Sequence, residues 1–303
     1  MRNGRFISVL AVIAMTMTAL ITFSAQGAAA QSATPGAGTY PEVLIKATDF
    51  AYDMPDTIPS GYVKITLQNN GAVEHQAQFA RINEGKTVDE VMGALKSGQQ
   101  GQALSMVTLT GGPNSIAPGQ STSVIDKLDP GDYLVLCFVT TPQGVPHLAL
   151  GMIKHVTVTE SNNQAPEPQA DAEVSLKDFT ITVPSNITAG SHLWKVTNDG
   201  PESHEMALLR VAEGVPPQAI ISGMEQAAAS PAAGPAAASP SASPAGAPPV
   251  TAAGGMGALA PGTSGWTYVN LQPGNYIAIC FVPDPKTGKP HFELGMVTSF
   301  TVS

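Results

Sequence analysis

Pro130-Gly131-Asp132-Tyr133-Leu134-Val135-Leu136-Cys137 is followed by Pro146-His147 and then Gly151-Met152. The same order returns as Pro273-Gly274-Asn275-Tyr276-Ile277-Ala278-Ile279-Cys280, then Pro290-His291 and Gly295-Met296. Each stretch opens on a Pro-Gly turn and runs into a short apolar segment. Tyr133–Val139 and Tyr276–Val282 therefore read as central strands buried on both faces. Upstream, His75 precedes the first stretch and His204 the second. The quartet His75, Cys137, His147, Met152 is thus matched by His204, Cys280, His291, Met296. Both cysteines of the chain and four of its six histidines fall in this pattern, an allocation that packing alone does not produce.

The matching extends along the chain. Glu42-Val43-Leu44-Ile45 corresponds to Glu173-Val174-Ser175-Leu176, Asp49-Phe50 to Asp178-Phe179, Asn69-Asn70-Gly71 to Asn198-Asp199-Gly200, and Ala117-Pro118-Gly119 to Ala260-Pro261-Gly262. The offset grows from 129 (His75 to His204) to 143 (Pro130 to Pro273). The extra length falls in an Ala/Pro/Ser/Gly run at 229–250, which has too little apolar surface to offset its ordering entropy and reads as a flexible insertion. A period above 100 residues makes the copies domains rather than solenoid turns. The expected division is 42–160, a linker at 161–171, and 172–303.

Tyr62–Leu67 alternates polar and apolar residues as a half-buried strand does. Thr87 to Glu90 is a capping box ahead of Val91, Met92 and Leu95, and Pro216-Pro217 opens a matching short helix bearing Ile220, Ile221 and Met224. The predicted fold class is all-β, two β-sandwiches in tandem, each with a short helix-bearing insertion.

Arg2 and Arg5, the uncharged apolar run from Phe6 to Phe23, and Ala28-Ala29-Ala30 read as a Sec-type secretory signal peptide over 1–30. An uncleaved anchor is the alternative. The expected location is the periplasm, the cell surface or the exterior, with no stable membrane insertion after cleavage. Net charge is −9, and −11 without Arg2 and Arg5. That acidity argues against nucleic acid and anionic membranes as partners.

Two imidazoles, a thiolate and a weak thioether suit copper in both redox states. Nine residues separate Cys137 from His147 and four separate His147 from Met152; the second gaps are ten and four. One loop thus carries three donors, and a distant strand supplies the fourth. Other readings of the cysteines are a disulfide, which needs Cα atoms within about 7 Å, and buried structural thiols in a metal-free sandwich. His155 and His192 have no counterparts and read as ordinary surface or strand residues, and Met206 as core.

These residues resemble the cupredoxin family, plastocyanin most closely, over nearly all of the chain after residue 41. The segment Asn69 to His75 is similar to the approach to the first copper histidine in that family, and Gly131 to Met152 to its ligand loop. The resemblance implies Greek-key sandwiches, one type 1 (blue) copper per domain, and one-electron transfer between redox protein partners. His75, Cys137 and His147 would be equatorial ligands with Met152 axial, and His204, Cys280, His291 and Met296 would repeat those roles. Two departures stand out. The Cys–His loops are longer than in plastocyanin or azurin, and Gln76 or Glu205 follows the first histidine where many cupredoxins carry Asn.

Leu136 and Ile279 precede the cysteines and no His-x-His occurs, so ligands for a second type of copper centre are missing. The expectation is a carrier, not an enzyme. Copper storage or delivery, and a copper-free interaction module, are the alternatives.

Overall fold

The computed structural model describes residues 39–228 and 249–303. The expected signal segment 1–30 and residues 229–248 of the expected insertion lie outside these. In the first half the chain runs through β1 (Glu42–Thr48), β2 (Ala51–Asp53), β3 (Thr57–Pro59), β4 (Gly61–Asn69), β5 (Gln78–Ile82), α1 (Val88–Lys96), α2 (Gln100–Ser105), β6 (Val107–Leu109), β7 (Ser121–Leu128), β8 (Gly131–Leu136) and β9 (Ile153–Thr159). The second half follows with β10 (Ala172–Lys177), β11 (Thr180–Thr182), β12 (Gly190–Asn198), β13 (His204–Val211), α3 (Pro217–Ala228), β14 (Val250–Leu259), β15 (Ser264–Leu271), β16 (Gly274–Ile279) and β17 (Val297–Val302).

Alternation drives the layering. In β1, Val43, Ile45 and Ala47 point inward while their neighbours face solvent, as the two-residue period of a strand requires. In the first half, β2-β1-β4-β7 form one layer and β3-β9-β8-β5-β6 the other. In the second half, β11-β10-β12-β15 face β14-β13-β16-β17. Strands β1 and β4 pair in parallel although β3, between them in sequence, joins the opposite layer. These layer changes make each half a Greek-key, cupredoxin-like sandwich.

Strand β8 is covered on one side by the sandwich core and on the other by α1, which brings Val91 and Leu95 against Leu134 and Leu136. Residues Tyr133 to Leu136 are buried without alternation for that reason. The Thr87/Glu90 capping box that starts α1 forms as expected. In the second half Ile221 of α3 plays the covering role over Ile277 and Ile279.

Three details differ from the sequence reading. Strands β8 and β16 stop at Leu136 and Ile279, short of Val139 and Val282, because the backbone after each cysteine turns its hydrogen bonds to the ligand loop. The first half carries a second short helix, α2, where one was expected. Val250, counted in the insertion, opens β14 and is buried.

The halves join edge to edge in both layers. Strand β7 pairs antiparallel with β15 through Ile125–Trp266, Val124–Thr267 and Ser123–Tyr268, so the first layers merge into one eight-stranded sheet. In the other layer the segment 109–116 runs along β14, with bridges Thr110–Leu259, Pro113–Met256 and Ile116–Ala253. With the offset of 143, each of these two strand contacts maps onto itself as a whole with the halves exchanged, Val124–Thr267 and Pro113–Met256 at the centres, which is the rule for an isologous two-fold contact. Glycine permits this approach. A Cβ on Gly257 would sit 2.9 Å from the Gly111 carbonyl oxygen and 3.0 Å from that of Gly112. Among the described residues no helix is long and apolar enough to cross a membrane.

Candidate metal centres

Each first histidine is placed by an asparagine. Asn69, the last residue of β4, donates through Nδ2 to the carbonyls of Val73 (2.8 Å) and Ile116 (2.9 Å), and its Oδ1 accepts from Gly71 N–H (2.9 Å). Asn198 repeats this with Glu202 (2.7 Å), Leu259 (2.8 Å) and Gly200 (3.0 Å). The turn delivers His75 and His204 into the sandwich, both fully buried. A Cβ on Gly71 would lie 2.4 Å from Asp49 Oδ1 and 2.6 Å from His75 Nε2, so only glycine lets the turn close over the ring.

The remaining residues come from one loop with a constant bonding pattern. Cys137 N–H donates to Met152 O (3.3 Å), His147 N–H to Val139 O (2.8 Å), Leu148 N–H to Cys137 O (2.9 Å) and Met152 N–H to His147 O (3.0 Å). In the second loop the same bonds join Cys280, Met296, His291, Val282 and Phe292 at 2.9–3.1 Å. Both 3₁₀ turns, His147–Leu150 and His291–Leu294, end on a glycine with φ near 107°, a left-handed position that other residues resist. The extra residue of the second loop is absorbed in a turn where Asp284 Oδ1 accepts from the Lys286 and Thr287 N–H groups.

The donor atoms of His75, Cys137 and His147 lie within 4.8 Å of one another, as do those of His204, Cys280 and His291. His147 Nδ1 is 3.5 Å from Cys137 Sγ, and His291 Nδ1 is 3.5 Å from Cys280 Sγ and 3.0 Å from His204 Nδ1. Met152 and Met296 are fully buried beside the cysteines, held there by the backbone bonds above. Both thiols are free, so no disulfide joins the halves.

The far ring nitrogens have carboxylate partners. His75 Nε2 lies 3.1 Å from Asp49 Oδ1 and His204 Nε2 lies 2.5 Å from Asp178 Oδ1. With the proton held at Nε2, each Nδ1 lone pair faces inward. Phe50 packs its edge on the His147 ring at 4.9 Å and Phe179 on His291 at 5.0 Å. Asp49 and Asp178 stand in the repeated Asp-Phe pair, and that repetition is the signal in the sequence that marks them.

Burial, aided by the neighbouring imidazole, brings His147 and His291 down to about 4. Burial also lowers His75, against the pull of Asp49. Burial pushes the Cys137 thiol up to about 12 and raises the Cys280 thiol as well. At neutral pH burial thus favours neutral imidazoles at His75, His147 and His291 and protonated thiols at both cysteines, and a thiol gives up its proton when a metal binds. His75 Nδ1 is buried and has no hydrogen-bond partner, a costly state for a polar atom unless a ligand uses it. The donor set fits a soft or borderline transition metal, and imidazole with thiolate suits copper.

The residue after the first histidine acts through its backbone. Glu205 N–H points to Cys280 Sγ at 3.5 Å, and the Gln76 N–H faces Cys137 in the same way. That bond does not depend on the side chain, so the departure from Asn leaves it in place. The side chains differ instead: the Glu205 carboxylate is buried and bonded, as described below.

No protein-family model matches the chain and no curated protein sequence matches it. Solved structures do. Dithionite-reduced auracyanin from Roseiflexus castenholzii is 22% identical and covers 39% of this chain and 96% of its own, with a TM-score of 0.28. Auracyanin A, a "blue" copper protein from Chloroflexus aurantiacus, is 20% identical, covers 39% of this chain and 99% of its own, and has a TM-score of 0.26. A multicopper oxidase is 16% identical, covers 88% of this chain and 93% of its own, with a TM-score of 0.26. The cupredoxin-like fold of this chain rests on its strand order and ligand loops. The expectation of a carrier that is not an enzyme is corrected here, since a multicopper oxidase stands among these similar structures.

Proposed function

We propose that the protein is an exported type 1 copper protein that carries electrons one at a time between redox partners. His75, Cys137 and His147 hold one copper with Met152 axial, and His204, Cys280 and His291 hold a second with Met296 axial. Copper bound there supplies a one-electron couple. The observation that carries this reading is the pair of buried His/Cys/His clusters whose donor atoms converge within 4.8 Å.

The chain's own contribution is rigidity and exclusion of water. All eight side chains are at most 1% exposed. The asparagine turns and the loop bonds hold the donors on a sandwich that need not rearrange when charge changes, which keeps the cost of electron exchange low. Three of the four large apolar side chains exposed among the described residues, Val73, Val145 and Leu150, lie in the loops carrying the first cluster. Exposed apolar side chains around the first cluster suit transient docking of a redox protein.

The test is the visible and EPR spectrum after addition of Cu(II) to wild type, Cys137→Ser, Cys280→Ser and the double variant. The expected result is an intense thiolate band that falls by a share in each single variant and vanishes in the double, with reversible reduction. Absence of the band with free thiols confirmed defeats the reading, and copper that departs on reduction replaces it with metal delivery.

A further inference from the structure

The two-fold relation between the halves breaks at a buried contact beside the second cluster. Asn114, from the segment of the first half that runs along β14, is 1% exposed. Its Nδ2 donates to Glu205 Oε2 (3.0 Å) and to Met256 O (3.0 Å), while its Oδ1 accepts from Ser115 N–H (2.7 Å). The other Glu205 oxygen, Oε1, accepts from Phe281 N–H at 3.0 Å. Phe281 follows Cys280 directly. One carboxylate therefore ties the residue after His204 to the residue after Cys280, and an amide from the other half fixes that carboxylate. By the offsets above, the position equivalent to Asn114 is Gly257 and that equivalent to Glu205 is Gln76. Glycine has no side chain to offer, so the first cluster has no such clamp.

We propose that Asn114 is a positioning residue for the second metal centre, so that the geometry of the Cys280 site is set in part by the first half of the chain. This rests on the copper reading of that site. The argument is one of satisfaction. A carboxylate at 6% exposure is costly unless its oxygens are bonded, and Glu205 has two donors, one on each oxygen. Without Asn114, Oε2 loses its donor and the carboxylate turns to find another. The turn pulls on Phe281 N–H and on the Glu205 N–H that faces Cys280 Sγ, which shifts the sulfur relative to the two imidazoles. Ile116, two residues on, pairs its backbone with His75 (Ile116 N–H to His75 O, 3.0 Å), so the same segment also touches the first cluster. A specific effect must therefore be separated from a general one.

The experiment places Asn114→Leu in two backgrounds of the full chain loaded with Cu(II). In Cys137→Ser only the second thiolate remains, and in Cys280→Ser only the first. The expected result is a shifted thiolate band and altered copper hyperfine splitting in the Cys137→Ser background, with the first-site spectrum in Cys280→Ser unmoved. Glu205→Gln, which sets one amide against another while keeping the acceptor for Phe281, is expected to produce a shift at the same site and serves if Asn114→Leu does not fold. Unmoved spectra in both backgrounds, or equal shifts in both, overturn the proposal. A missing band in Cys137→Ser itself defeats the copper reading of the second site instead. The positioning claim is then read in metal-free Cys137→Ser protein from the rate of iodoacetamide labelling at Cys280. A severalfold rise with Asn114→Leu supports it and an unchanged rate overturns it.

Discussion

The two clusters share donors, loop bonds, carboxylate partners and the phenylalanine against the second histidine, yet their surroundings differ at several positions that the two-fold relation makes comparable. Beside Cys137 stands the Tyr52 hydroxyl, which also donates to the Gln76 carbonyl; the equivalent position near Cys280 is Ile181. Val73 corresponds to Glu202, whose Oε2 lies 3.3 Å from His291 Nε2. Val145 corresponds to Lys289. Asp49 apart, the first cluster thus has apolar residues where the second has the charged Glu202 and Lys289. On the copper reading proposed above, the duplicated side chains would hold the same metal twice, and the unduplicated neighbours would give the two sites different potentials.

The sharpest way to break the equivalence is through the shared carboxylates. Asp49→Ala and Asp178→Ala each remove the acceptor that orients one imidazole. Loss of such a partner costs about 10–100-fold in metal affinity. The loss is expected at the cluster concerned alone, and it is expected to be larger for Asp178, whose bond is shorter (2.5 against 3.1 Å) and whose side chain is less exposed (25% against 42%). Competition with a chelator, read by the thiolate band in the single-cysteine backgrounds, measures both. Equal losses at both clusters from either variant would show that the carboxylates support the fold rather than the ligand.

A second difference lies in the joined sheets, away from the metal donors. Asp126 in β7 is 1% exposed, and neither carboxyl oxygen has a hydrogen-bond partner. The equivalent residue in β15 is Val269. Burial pushes the Asp126 carboxyl up to about 8. The folded state thus holds a proton that the unfolded chain releases near pH 4, so this group's contribution is fully favourable below pH 4 and is lost as pH rises towards 8. Asp126→Val restores the symmetry. It is expected to raise stability at pH 8 by about 1–3 kcal/mol and to remove that fall, as measured by urea unfolding from pH 5 to 8. A variant that keeps the wild-type slope would assign the slope to other groups.

What the chain disclosed before folding follows from the range of each signal. The convergence of the His/Cys/His groups was legible because imidazole and thiol at matched positions carry their chemistry with them, and the capping box of α1 because its bonds span three residues. Asp49 and Asp178 were visible as a repetition but not as partners, since each meets a histidine 26 residues on only when the turn after β1 or β10 folds back over it. The ladder between 109–116 and β14 was illegible. Nothing in sequence marks its Gly111-Gly112 and Gly254-Gly255 pairs, because their worth lies in what they allow across the two-fold contact. Asn114 belongs with these, because its partner is 91 residues away in the other half.

The smallest expected effect is at Tyr52. Tyr52→Phe removes one hydroxyl and leaves the ring in place, so the cost is that of a single hydrogen bond, about 0.5–1.5 kcal/mol of stability. Its diagnostic value exceeds its size. The hydroxyl faces the Cys137 sulfur, and a donor to a metal-bound thiolate draws electron density from it, so its removal is expected to shift the first thiolate band and lower the reduction potential of that site. The second site, with Ile181 at the equivalent place, has nothing to lose and its spectrum is expected to stay as it was. If Tyr52→Phe costs stability but leaves the Cys137 spectrum unmoved, the hydroxyl serves the Gln76 carbonyl alone, and the contrast between the sites rests on Glu205 and Glu202.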